Sequence, residues 1–267
     1  MIIARRLLLD RRHAMMWWSI GIFAVVAAVV GMFPSIEGKA GLDKVFDKLP
    51  AALKAIAGVK DGISTVSPEG FLHGKLFAMF APMLLTIFGI GLGAAAIAGA
   101  ETDGTLELLL ANPLTRRRLV VERYVVLVGL IVALGAVLAL SVIALSPLIG
   151  GGLSRVPATK LIAASLSSVC LALLFASLAF AAGCITGKRN VAVAAATVVA
   201  VGGYLLHVLT ATVSSLNWLG AVSPWRWYLR ELILVDGLNA LAVLLPLSLS
   251  AVAMLAGMAV FLRRDIR

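Results

Sequence analysis

From Leu76 to Ala100 the chain runs for 25 residues without a charged side chain. A helix rises 1.5 Å per residue and a bilayer's hydrocarbon core is about 30 Å thick, so about 20 apolar residues suffice for one crossing. Residues 14–33, 124–148, 161–185, 191–213 and 241–262 form five further runs of this kind. Backbone polar groups in hydrocarbon must be satisfied within their own segment, which makes each run a helix. The composition agrees: 61% of the 267 residues are hydrophobic and 13% charged, where a soluble domain carries about 25% charged residues. The expected fold is an all-α polytopic membrane protein, one transmembrane domain over residues 1–267 with six transmembrane helices.

The net charge of +10 would point to nucleic acid in a soluble protein. Here the basic residues gather at the ends of apolar runs: Arg5, Arg6, Arg11 and Arg12; Arg116, Arg117, Arg118 and Arg123; Lys188 and Arg189; Arg263, Arg264 and Arg267. Basic residues in short loops stay on the cytoplasmic side, so both termini are expected inside. Membrane lipids, and not nucleic acid, are the expected partners of this charge. Cys170 and Cys184 fall in one span, about 21 Å apart by helical rise, too far for a disulfide.

Residues 101–123 form a polar island between two spans. Burying Arg116, Arg117 and Arg118 at a bilayer centre would cost about 8 to 10 kcal/mol, so the island lies outside the membrane. Within it, Thr105 to Asn112 reads as a short helix with Leu106, Leu109 and Leu110 on one face. Gly104 permits a sharp turn before it, Pro113 stops it, and Thr115 offers a cap for the next helix. The leucine face rests either on the membrane surface and its own subunit or on a partner.

The sequence Glu101-x-x-Gly104-Thr105-Leu106-Glu107-x-Leu109-Leu110-Ala111-x-Pro113-x-Thr115-Arg116 resembles the signature between the second and third spans of bacterial ABC-2 type transporter permeases. The resemblance implies that this segment is a coupling helix docking on a separate ATP-binding subunit. Glu101, Gly104, Thr105, Leu106, Glu107, Leu109, Leu110, Pro113 and Arg116 would form the coupling site, with Glu101 and Glu107 pairing with arginines of this subunit or of the ATPase. It implies a dimer with a second permease subunit, identical or related. This chain would bind no cofactor, the partner ATPase holding ATP and Mg. Residues 1–13 would form a cytoplasmic elbow helix, and 263–267 a cytoplasmic tail.

The outer loop, residues 34–75, is expected to hold two short amphipathic helices: Leu42, Val45, Phe46 and Leu49 repeat at helical spacing, and Leu53 and Ile56 extend the pattern beyond Pro50. Ser67-Pro68-Glu69-Gly70 would turn the chain back. Gly89, Gly93, Ala96 and Ala100 make a stripe of small residues, for packing within the subunit or for a pathway wall at a dimer interface. His73, Met79 and Met83 admit a soft-metal path, though methionine at this spacing more often fills core gaps. In residues 214–239, Trp218, Trp225, Trp227 and Tyr228 read as an outer interfacial belt, and the family resemblance implies short re-entrant helices there, closing the outer gate.

The membrane-depth runs offer essentially only His207 as an ionisable group, which disfavours an ion-coupled carrier. The chain has no GxxxxGK[ST] phosphate loop, no HExxH and no nucleophile elbow. It is therefore read as a transport subunit without its own ATPase site, in a bacterial cell membrane, exporting a hydrophobic or amphipathic substrate such as a drug, antibiotic or lipid. An ion-gradient-driven secondary transporter and a non-transporting scaffold or sensor are the alternatives.

Overall fold

The computed structural model describes residues 11–37, 41, 48–58, 64–104, 115–149, 151–229, 233–238 and 240–264. The described residues are helical and contain no strand. Six helices are long and apolar enough to cross a membrane: α1 (Arg12–Met32), α3 (Pro68–Thr102), α4 (Arg116–Ile149), α5 (Ala158–Thr186), α6 (Arg189–Thr212) and α10 (Ala240–Arg263). Between them lie the short helices α2 (Ala51–Ala57), α7 (Asn217–Gly220), α8 (Pro224–Leu229) and α9 (Ile233–Asp236).

Helix α3 starts earlier than the charge-free run. Pro68 sits in its first turn, and Ser67 Oγ accepts from the Gly70 N–H at 3.1 Å, so the expected turn is a helix cap. This start brings His73 and Lys75 into the helix, and His73 is buried. Leu72–Phe80 is a π-helical stretch ending just before Pro82. Pro82 has no N–H to donate and its ring crowds the carbonyl four residues back, a conflict that a widened turn relieves.

Helix α5 is the axle. It packs against α3, α4, α6 and α10, and it is the most enclosed of the six, while α1, α6 and α10 leave most of their surface open. Its sequence is suited to this place. Ser165, Ser168 and Ser177 donate back to the carbonyls of Leu161, Ala164 and Leu173 at 2.7–2.9 Å, so these three are buried without losing a hydrogen bond. Neighbouring helices approach it through glycine: a Cβ at Gly93 would overlap the Ala176 carbonyl, and one at Gly257 would stand 2.7 Å from Ala181 Cα.

The small-residue stripe of α3 is thereby resolved. Gly89 and Gly93 lie against Ala172 and Ala176 of α5, Ala96 packs against the core and Ala100 is buried in it. At Gly89 and Gly93 the stripe is packed within the subunit, one of the two readings the sequence left open. Backbones that touch leave no room for a passage between them.

Candidate functional site

The arginine-rich ends of four long helices meet in one ionic cluster. The carboxylate of Glu101, on the last turn of α3, pairs with the guanidinium of Arg264, which follows the end of α10. Arg264 Nη1 also donates to the Cys184 carbonyl at 3.0 Å, one of the last four carbonyls of α5, which have no partner inside their own helix. Arg116, the first residue of α4, closes the set by donating through Nη1 to the Arg264 carbonyl at 2.7 Å. Helix α5 ends at Gly187, whose φ of +67° is left-handed; a Cβ there would run into both Glu101 and Arg264.

One turn further in, buried Arg123 of α4 donates to the Ala96 carbonyl in the π-helical turn Ala95–Gly99 of α3. Tyr124 OH and Ser177 Oγ lie 2.8 Å apart and join α4 to α5. Sequence reasoning placed Arg123 in the island; the structure makes it an interior group. The signal was its spacing from Arg116, seven residues and so about two turns along one face.

This cluster brackets the island. Gly104 takes φ +66° at the exit of α3, and Thr115 Oγ1 accepts from the Arg118 N–H at 3.3 Å at the entry of α4. Of the nine coupling residues, Glu101, Gly104 and Arg116 lie in the described part, and Glu101 pairs with an arginine of its own chain. Thr105, Leu106, Glu107, Leu109, Leu110 and Pro113 lie outside the described residues, as do the elbow residues before Arg11, the outer-loop residues Leu42, Val45 and Phe46, and the tail beyond Arg264.

At the other end of the bundle Lys160 Nζ donates to the Val235 carbonyl at 3.0 Å and the Glu37 carboxylate accepts from the Gly152 N–H at 2.8 Å, while the deeper contacts are neutral. Trp225 Nε1 donates to the Ala200 carbonyl at 2.9 Å, halfway along α6. Tyr228 OH donates to the Phe77 carbonyl of α3 and lies 2.8 Å from Ser168 Oγ of α5. Trp225 and Tyr228 are both buried, while Trp218 is 71% exposed and Trp227 partly covered, its indole N–H on the Ala221 carbonyl at 2.6 Å. Trp225 and Tyr228 pack among the long helices. His73 is buried whereas Met79 and Met83 are exposed.

Six long apolar helices, with α5 at their centre, define a multi-pass helical membrane protein. The family model described as ABC-2 family transporter protein matches residues 1–266, and the chain belongs to that family. Membership makes it an ABC-type permease and implies association with an ABC ATPase subunit. No curated protein matches the chain.

Proposed function

We propose that this chain is the membrane-spanning subunit of an ATP-driven exporter, whose segment 105–114 docks on a separate ATPase subunit. The observation that carries the reading is how the residues flanking that segment are tied: Glu101 at the end of α3 and Arg116 at the start of α4 both bond Arg264 at the end of α10. A force applied through Leu106, Leu109 and Leu110 would reach three helix ends at once, and α5 through the Cys184 carbonyl. Closure of two ATPases, each holding ATP and Mg, would then tilt the spans as rigid bodies and switch access between the membrane faces.

The cargo in this reading is hydrophobic or amphipathic, since the long helices offer alanine, valine, leucine and glycine to a passage. Two such subunits, identical or related, would enclose it, with the arginine-rich ends in the cytoplasm of a bacterial cell. Helices α7 to α9 would act as re-entrant elements closing the outer end, held by Trp225 and Tyr228.

The test is purification of the tagged chain from its membranes in mild detergent, followed by mass spectrometry. A stoichiometric ATPase that is lost in the Leu106→Ala/Leu109→Ala/Leu110→Ala variant is expected. Repeated recovery of folded chain without an ATPase would overturn the reading.

A further inference from the structure

Between the start of α1, the middle of α3 and the start of α6 lies a cleft of about 170 Å³. Arg11 and Arg189 line it together with Met15, Trp18, Phe88 and Gly91. Arg11 is the residue that opens α1 and Arg189 is the first residue of α6, so both helices turn their N-terminal ends toward this region. Neither helix carries an acidic residue in its first turn. Among the described residues the ion pairs are Arg118–Glu122 and Arg264–Glu101, and neither uses Arg11 or Arg189. Arg11 also acts electrostatically on Arg123, adding a third positive charge to the surroundings.

The rest of the cleft is apolar and open. Trp18 and Phe88 pack ring to ring at 5.4 Å and form one wall. A Cβ at Gly91 would meet nothing within 4 Å, so α3 is bare beside Phe88 where it lines the cleft. Gly91 precedes Glu101 by ten residues, about 15 Å of helix. The cleft thus joins a cationic mouth to an apolar groove running toward the membrane interior. A free phosphate would use the mouth and leave the groove empty.

We propose that the cleft seats one anionic phospholipid, its phosphate on Arg11 and Arg189 and the start of an acyl chain along Trp18, Phe88 and Gly91. The lipid supplies a counter-charge that no ion pair gives the two arginines among the described residues, and it fills a groove that a membrane would otherwise leave under-packed. The inference rests on the helices spanning a bilayer and not on coupling to an ATPase, so each reading can fail alone.

Native mass spectrometry of the full chain, titrated with phosphatidylglycerol or phosphatidylcholine of matched acyl chains, tests it. With two arginines on the headgroup, about 30-fold preference for phosphatidylglycerol is expected. Arg11→Gln/Arg189→Gln should bring the preference to within about twofold. Gly91→Leu, which keeps both arginines and fills the groove, should weaken binding of both lipids. Equal binding of the two lipids to the unaltered chain, a preference that survives the double substitution, or unaltered binding in Gly91→Leu would each overturn the proposal. So would displacement of phosphatidylglycerol by inorganic phosphate at equal concentration, which would mark an anion site without a lipid groove.

Discussion

Two fastenings of this bundle, the Glu101–Arg264 cluster and the Trp225–Tyr228 contacts, use different chemistry. At the arginine-rich end, Glu101, Arg116 and Arg264 hold α3, α4, α5 and α10 through an ion pair and charge-assisted hydrogen bonds. At the other end, Trp225 and Tyr228 hold α8 to α3, α5 and α6 through neutral hydrogen bonds to backbone carbonyls and one serine. Depth explains the contrast. Glu101 and Arg264 side chains are each about one-fifth exposed, enough for water to offset the cost of charge. Tyr228 is 3% exposed, where an ionised group would be far more costly and a neutral donor needs only one good acceptor. The Glu101–Arg264 cluster is open to salt, whereas the Trp225–Tyr228 contacts form a neutral clasp.

The comparison supposes a stiff seam linking the two ends, and breaking that seam should have the largest effect. Gly93→Leu drives a side chain into the Ala176 carbonyl of α5 and should destabilise by about 3 kcal/mol, visible as a lost or strongly lowered thermal transition in detergent. Gly91→Ala, two residues away over open space, should be neutral or slightly stabilising in the same measurement. Equal damage from both would refute the seam.

Next in size is the charged end. Glu101→Lys leaves Arg264 facing a like charge and should cost about 2 kcal/mol and depress ATP-driven transport in proteoliposomes. The exchanged pair Glu101→Arg/Arg264→Glu should recover part of both losses, a coupling read by a double-mutant cycle. Because the pair is partly exposed, 1 M salt should shrink the difference between the unaltered chain and Glu101→Lys.

Smaller again is the neutral clasp. Tyr228→Phe removes the donor to the Phe77 carbonyl and should lower stability by about 1.5 kcal/mol, with the same value at low and high salt. A salt-dependent loss would erase the proposed contrast between the two fastenings. Trp218→Phe, at an exposed position, should change stability by less than about 0.5 kcal/mol.

Much of the architecture was legible in the residues. The six apolar runs, Gly104 as a turn, Thr115 as a cap and the family-like pattern from Glu101 to Arg116 all express local rules of length, conformation and charge. Other features were illegible where a residue's neighbour is far away in the chain. The partners of Trp225 and Tyr228, the carbonyls of Ala200 and Phe77, lie 25 and 151 residues away. The stripe at Gly89 and Gly93 announced a close approach without naming the partner, because any helix with small residues would satisfy it.

The sequence alone determined that this chain crosses a membrane, how many long helices it has and where its charges cannot go, since hydrocarbon penalises each exposed polar group whatever the fold. Tertiary structure alone decided that α5 is the axle, that Glu101 answers to Arg264, 163 residues away, and that Arg11 and Arg189 share one cleft. Helix pairing in a bilayer is set by surface fit and by which polar groups meet, and such complementarity belongs to pairs of segments, not to any one of them.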